Sequence, residues 1–432
     1  MRASIANVLA TASLALAATS TVEEPTLQEI EAAAATTLPL SPVSNVKGIG
    51  FNKFYQVWLE NIDYSAAAGD PNQQWLAKQG ITLTNYWAVT HPSEPNYCAS
   101  AGGDNFGMDN DDFHQVPANI SSIADLFDTK NIAWGEYEEH MPYPGFQGYN
   151  YSNQVTFAND YVRKHNPLIL YDSVTRDNNR LRQIKNFTHF YEDLEHERLP
   201  QYAFITPNMT NDAHDTTITF GAKWERGFME NLLNNEYFMK DTLILLTFDE
   251  THTYPIGNRV FSILLGGAIP EELKGTEDNT FYTHYSTIAT LSANWGLPSL
   301  GRWDCGANIF EIIANKTGYV NYEVDTTNLY LNQTLPGPFS ENTYSTYTPN
   351  WPVPATSGQC SAGHGILEQV KKTWGHLQPT YNYTSPFPYD DKTGYNTGVT
   401  ATRPSKGHPA PPAPPAPAHP EHPAHPLQPG FN

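Results

Sequence analysis

Cysteine is scarce, with Cys98, Cys305 and Cys360 the only three in 432 residues. So few exclude a disulfide-stapled scaffold. In an exported chain an odd count leaves one thiol over. Cys305 and Cys360 stand in late, loop-like sequence and are the expected disulfide, and Cys98, in a small-residue segment, is the expected buried free thiol. Basic residues are also few, Lys+Arg 24 against Asp+Glu 45, a net charge of −21. A nucleic-acid binder needs a basic surface, so that class is set aside. The same balance gives no attraction to anionic lipid. Charged residues total only 16% while aromatics reach 12%, which is not the composition of a disordered chain. Beyond the first 20 residues there is no long apolar run, so no transmembrane anchor is expected.

The ends of the chain are distinctive. Arg2 followed by an Ala/Leu-rich run, with Ala15-Leu16-Ala17 as a small-x-small cleavage site, marks residues 1–20 as a secretory signal peptide. A short membrane anchor is the alternative. The expected location is outside the cell or in the cell-wall space. Residues 21–47 read as a flexible arm or propeptide, 48–402 as one folded domain, and 403–432 as a Pro/His/Ala-rich disordered tail. His408, His419, His422 and His425 in that tail either bind metal or are simply solvated, the plainer reading. Asn-x-Ser/Thr sequons begin at Asn119, Asn150, Asn186, Asn208, Asn315, Asn332 and Asn382, so N-glycans are expected.

Between Gly48 and Ile313 apolar runs alternate with helical spacing. Strands are expected at 54–59, 81–89, 201–206, 243–248 and 260–265. Helices are expected around 120–127, with Ser121 or Ser122 as cap, and at 190–197, 228–233 and 283–295. Alternation of this kind predicts an α/β fold with a mostly parallel central sheet flanked by helices, followed by a loop-rich C-terminal extension. Ligands of such sheets sit beyond the carboxyl ends of the strands. Those positions here hold Glu60 and Asn61; His91, Ser93, Glu94 and Asn96; Asn208, Asp212, His214 and Asp215; Asp249 and Glu250; and His284 opens a helical pattern. A single strand-end Asp or Asn is most often a turn residue. Together they form the carboxylate and imidazole set that a catalytic divalent metal requires.

Ser93 is the best nucleophile candidate. Pro95 suits the first turn of a helix, whose free amides and dipole would face an anion. Serine at a helix start is, however, most often only a cap. Asn96 offers a neutral donor for a phosphate oxygen and His91 a proton. Glu136, Tyr137, Glu139 and His140 form a polar aromatic segment that lines the pocket or lies on the surface.

Glu60-Asn61, the segment His91-Pro92-Ser93-Glu94-Pro95-Asn96-Tyr97, the run from Pro207-Asn208 to Asp215, Phe248-Asp249-Glu250 and Thr283-His284-Tyr285 resemble, in that order, the phosphoesterase family. That family includes bacterial acid phosphatases and phospholipases C, within the alkaline-phosphatase superfamily. The resemblance implies an alkaline-phosphatase-like fold and makes 48–402 a catalytic domain. It implies Ser93 as nucleophile, Asn96 on the phosphate, Asn208 in the substrate loop, and Glu60, Asn61, Asp249 and Glu250 as metal ligands. Asp212, His214, Asp215 and His284 fall where the superfamily places further ligands or proton-donating histidines, with His91 a third choice of donor. Two departures, Glu60 for Asp and Asp249-Glu250 for Asp-His, favour one divalent metal over two. The implied activity is hydrolysis of small phosphate monoesters through a phosphoserine. A phospholipase C-like diesterase and an inactive binding glycoprotein are the alternatives. The Arg-His-Gly and Gly-Asn-His motifs of other acid phosphatases are absent, and Tyr97 stands where sulfatases need Arg. Oligomeric state is not legible. A glycan on Asn208 would obstruct the substrate, so that sequon is expected to be unused.

Overall fold

Thr242–Phe248, buried at every position, runs through the middle of a nine-stranded sheet in the computed structural model. The structure describes residues 24–341, 347–360, 363–381, 386 and 399–404. The leader at 1–20, the four tail histidines and the Asn382 sequon lie outside the described residues. The strands are β1 (Lys53–Leu59), β2 (Ile81–Trp87), β3 (Trp134–Glu138), β4 (Ile184–Asn186), β5 (Tyr202–Thr206), β6 (Thr242–Phe248), β7 (Arg259–Leu265), β8 (Thr276–Asp278) and β9 (Tyr282–Thr283). Their spatial order is β8-β2-β7-β6-β1-β5-β3-β4, and β9 pairs with β2 beyond β8. Only β7 opposes its neighbours, β2 and β6; the other pairings are parallel. A parallel sheet must be covered on both faces, which is why β1 and β6 are continuous apolar runs rather than alternating ones.

The main helices are α1 (Leu27–Ala34), of which only Ile30 is buried, and α2 (Ser93–Gly102), α3 (Ile123–Asp128), α4 (Phe187–Glu195), α5 (Ile218–Leu232) and α6 (His284–Trp295), which flank the sheet. Ser122 caps α3 in a capping box with Asp125. Both α2 and α6 are buried at every residue and pack together. The small residues Ala99, Ser100, Ala101 and Gly102 permit that approach. At Gly102 a Cβ would lie 1.9 Å from the Tyr171 hydroxyl. Gly103, at φ +74°, ends the helix where a side chain would be strained.

Two features differ from the sequence reading. Trp134–Glu138 is a strand, and Glu136 and Tyr137 are buried within the sheet rather than on a pocket wall or surface. The buried carboxylate has a distant partner: Leu168 N, 32 positions on, donates to Glu136 at 3.1 Å, an interaction no periodicity announces. Residues 24–47, expected as a loose arm, lie on the body. Ser41 Oγ donates to Asp193 at 2.8 Å, and Ser44 Oγ donates to Gln201 at 2.6 Å. A third feature is left open by the sequence: the C-terminal extension lies partly beside the edge that holds Ser93. Thr334 Oγ1 donates to Asn105 at 2.7 Å, and Asn332 Nδ2 donates to the Ile256 carbonyl at 2.6 Å. Cys305 and Cys360 form the disulfide, and Cys98 is a buried free thiol.

Candidate active site

The parallel register aligns the carboxyl ends of β1 and β6, pairing Leu59 with Phe248. Glu60 and Asp249 therefore leave the sheet side by side, and Asp249 N donates to the Leu59 carbonyl at 3.0 Å. From β5, the loop beginning at Pro207 returns so that Glu60 N donates to the Asp212 carbonyl at 2.9 Å. From β2 the chain passes through His91-Pro92 into α2, whose first residue is Ser93. Four strand ends thus deliver polar side chains to one edge of the sheet, as expected for an α/β fold.

Ser93 Oγ donates to Glu60 Oε2 at 2.9 Å and to Asn61 Oδ1 at 3.3 Å. One helical turn later, Tyr97 donates to Glu60 Oε1 at 2.6 Å. Asn61 Nδ2 donates to Glu250 Oε1 at 3.0 Å. Ser93, Glu60, Asp249 and Glu250 are all fully buried or within 1% of it. His165, in the short turn Arg163–His165, brings Nε2 to 3.2 Å from Glu60 Oε1 and Nδ1 to 3.5 Å from Asp212 Oδ2.

Three carboxylates of this group are raised. Burial, and then the charge of Glu60, hold Asp249 well above the usual carboxyl range. Burial, and then Asp249, do the same to Glu250. Burial raises Asp212 to about 6. Burial works against Glu60 as well, but the charge of His165 and its contact bring Glu60 below its ordinary value. Unneutralised carboxylates packed this closely are costly unless a cation joins them.

Several buried atoms have contacts but no hydrogen bond. Both Asp249 oxygens, Asp212 Oδ2, His165 Nε2 and His91 Nδ1 are in this state, although His91 Nδ1 is only 2.7 Å from Glu250 Oε2. Close heteroatoms out of hydrogen-bond geometry are what a ligand set without its ion presents. Glu60, His165 and Asp212 offer ligand atoms within 4.8 Å of one another. The donors are oxygen-rich with one imidazole, so the residues present fit a divalent cation.

The other expected residues fall into two groups. His91 is at the site, stacked on Tyr254 at 3.9 Å, and burial lowers it to about 4. Asn96 is also at the site but its amide is occupied. Its Oδ1 accepts from Val89 N at 3.0 Å, and its Nδ2 donates to the Thr90 carbonyl at 2.9 Å and approaches Glu250 at 3.4 Å. These bonds brace the loop that leads into Ser93. His284 is buried behind the carboxylates, packed against Trp58 at 4.2 Å, with Nε2 2.7 Å from the Asp249 carbonyl. Burial lowers it to about 3. His214 remains partly exposed at the rim, its N donating to Asp212 Oδ1 at 2.7 Å and its ring 6.0 Å from that of His165.

Asp215 and Asn208 are not brought to the carboxylates. Asp215 turns outward, meeting His214 Nδ1 at 2.8 Å and accepting from Asn159 at 3.0 Å. Asn208 folds its own loop, accepting from Thr210 N at 3.1 Å and Asn211 N at 2.9 Å, with Nδ2 2.9 Å from His140. Tyr97 and His165 were missed. Only Tyr97 left a signal, since its four-residue spacing from Ser93 puts both on one helical face.

The profile of the Phosphoesterase family matches residues 64–298. An acid phosphatase of Aspergillus fumigatus is 70% identical over 403 residues, 93% of this chain and 90% of its own length. An acid phosphatase of Aspergillus niger is 64% identical, covering 93% of this chain and 96% of its own. A phosphate-repressible acid phosphatase of Penicillium chrysogenum is 65% identical, covering 89% and 92% respectively.

Proposed function

The chain belongs to the phosphoesterase family, and from that premise we propose that it is an acid phosphatase, a hydrolase of small phosphate monoesters that works through a phosphoserine on Ser93. The observation that carries the reading is the placement of Ser93. A serine at the first turn of a buried helix, hydrogen-bonded to a carboxylate at 2.9 Å, lies among three more buried carboxylates. Structural serines at helix starts cap the helix; the Ser93 side chain instead faces Glu60 and Asn61.

Glu60, His165 and Asp212, with Asn61, Asp249 and Glu250 beside them, are the residues that would hold one divalent cation. When bound, such an ion polarises phosphate oxygens and lowers the cost of ionising a nearby hydroxyl. Glu60 orients Ser93 Oγ and takes its proton as the oxygen attacks phosphorus in line. The bond to the leaving oxygen breaks as His214, exposed at the rim, supplies a proton to that oxygen. In the second step water gives a proton to His214 and its oxygen attacks the phosphoserine, releasing phosphate while Glu60 returns the first proton to Ser93. His91 and His284, which burial keeps neutral, position Glu250 and Asp249. Asn96 keeps the Thr90–Pro92 loop in place. Positioning of this kind is the main resource of phosphoryl-transfer enzymes.

The leader at 1–20 and the sequons support secretion as a glycoprotein, with residues 48–402 as the catalytic domain and 403–432 as a tail. No helix among the described residues is long and apolar enough to cross a membrane. The test is hydrolysis of p-nitrophenyl phosphate beside bis-p-nitrophenyl phosphate, across pH, with and without chelator. Acid-side monoester turnover that chelator removes is the expected result. Dominant diester turnover would favour a phospholipase C-like enzyme, and silence on both would favour a binding glycoprotein.

A further inference from the structure

Lys164 has no part in the machinery above, yet it stands at its mouth. It precedes His165 in the turn Arg163–His165, which packs against α2. Its ammonium lies 3.0 Å from Asp111 Oδ2, while Asp111 Oδ1 accepts from Glu94 N at 2.9 Å. Glu94 directly follows Ser93, so a single carboxylate ties this ammonium to the nucleophile's helix. The side chains of Lys164 and Asp111 keep 16% and 26% exposure, whereas those of Glu60 and Glu250 keep none. The Lys164 charge acts inward as well, drawing down Glu60, Asp249 and Glu250 alike. The ammonium thus sits on the turn that carries His165, partly exposed and tied through Asp111 to the helix that begins at Ser93.

A phosphate monoester presents three non-bridging oxygens. A diester presents two, because the third carries the second alcohol. We propose that Lys164 recognises the third non-bridging oxygen of a phosphate monoester and thereby sets preference for monoesters over diesters. Asp111 is the positioning residue that holds the ammonium there. Ammonium suits the task because it is a compact charge that an uncharged ester substituent cannot satisfy. This inference rests on the phosphatase reading and names what that site selects.

The test compares wild type, Lys164→Met and Lys164→Arg on p-nitrophenyl phosphate and bis-p-nitrophenyl phosphate near pH 7, where a monoester carries close to two charges. Loss of one charge-assisted contact predicts a fall of about 10- to 100-fold in monoester kcat/KM, carried mainly by KM. Diester kcat/KM should change by less than about 3-fold, since no contact to it is lost. Inhibition by inorganic phosphate should weaken in parallel with the monoester, and Lys164→Arg should keep most of the preference. Equal loss on both esters, or an unchanged ratio, overturns the proposal and leaves Lys164 a structural ion pair. If Lys164→Met does not fold, Asp111→Asn decides: a lowered monoester-to-diester ratio supports the assignment and an unchanged one overturns it. A wild-type protein silent on both esters would instead sink the phosphatase reading itself.

Discussion

Ser93 and Glu60 are held together from both sides. Ser93 Oγ donates to one Glu60 oxygen at 2.9 Å, and Tyr97, a turn further along the same helix, donates to the other at 2.6 Å. The helix that begins at Ser93 thus fixes the Glu60 carboxylate, although the two come from different strand ends. Ser93→Ala removes the attacking oxygen and should reduce p-nitrophenyl phosphate turnover by at least about 10³-fold. Acid-quenched wild-type enzyme should carry a phosphate on the Ser93 peptide by mass spectrometry. Turnover close to wild type in Ser93→Ala would exclude the scheme.

Asp249 carries the metal prediction. Both its oxygens are buried without a hydrogen bond, and burial together with Glu60 raises it. Elemental analysis of purified protein should find one divalent ion per chain, and Asp249→Asn should lose it. Removal of the ion should also lower the unfolding midpoint, since a ligand bound only by the native state stabilises it. Metal-free protein with full activity and unchanged stability would contradict the ligand set.

His214 is assigned the proton because it alone of the three candidate histidines retains access to the rim, its side chain 31% exposed. A nitrophenolate leaves readily without a proton, whereas an alkoxide does not. His214→Gln should therefore cost about 10²-fold on glycerol phosphate and much less on p-nitrophenyl phosphate. Equal losses on the two substrates would mean that His214 has a structural or substrate-binding role.

What the sequence disclosed depends on whether a residue's partner is local. The runs at 54–59 and 243–248 announced β1 and β6 because buried parallel strands are apolar throughout. Glu60, Ser93, Asp249 and Glu250 stood out because strand ends are where such sheets hold ligands. His165 was hidden: it lies 105 positions from Glu60 and meets it only through the tertiary fold. Asn96 shows the reverse problem. Its type suits phosphate, but the folded loop uses the amide to hold Thr90, which no spacing reveals.

The sequons separate by what their amide hydrogens already do. Asn332 Nδ2 donates to the carbonyls of Tyr254 and Ile256, which spends both hydrogens, and Asn208 is buried in its own loop. A glycan replaces one of those hydrogens. Asn119, Asn150 and Asn315 are exposed. Glycopeptide mapping of protein from a secreting host should find glycans at Asn119, Asn150 and Asn315 and none at Asn208 or Asn332. A glycan on Asn208 in active enzyme would remove that loop from the substrate path.

Glu225 gives a pH dependence that is separable from catalysis. It lies on α5, fully buried, and accepts from Gln73 Nε2 at 2.5 Å. Burial raises its carboxyl from 4.5 to about 8. Between those values the native state holds a proton that the unfolded chain has released. Its contribution to stability is therefore complete below the unfolded value and is lost as pH rises through the folded one. The loss amounts to at most about 5 kcal/mol. Glu225→Gln keeps the shape and the acceptor but cannot ionise. Denaturant titrations of both proteins from acid to mildly alkaline pH should show stabilities that nearly coincide at the acid end and diverge upward, with the variant the more stable. Parallel curves over that range would mean that Glu225 is ionised in the native protein and that its burial is relieved in some other way.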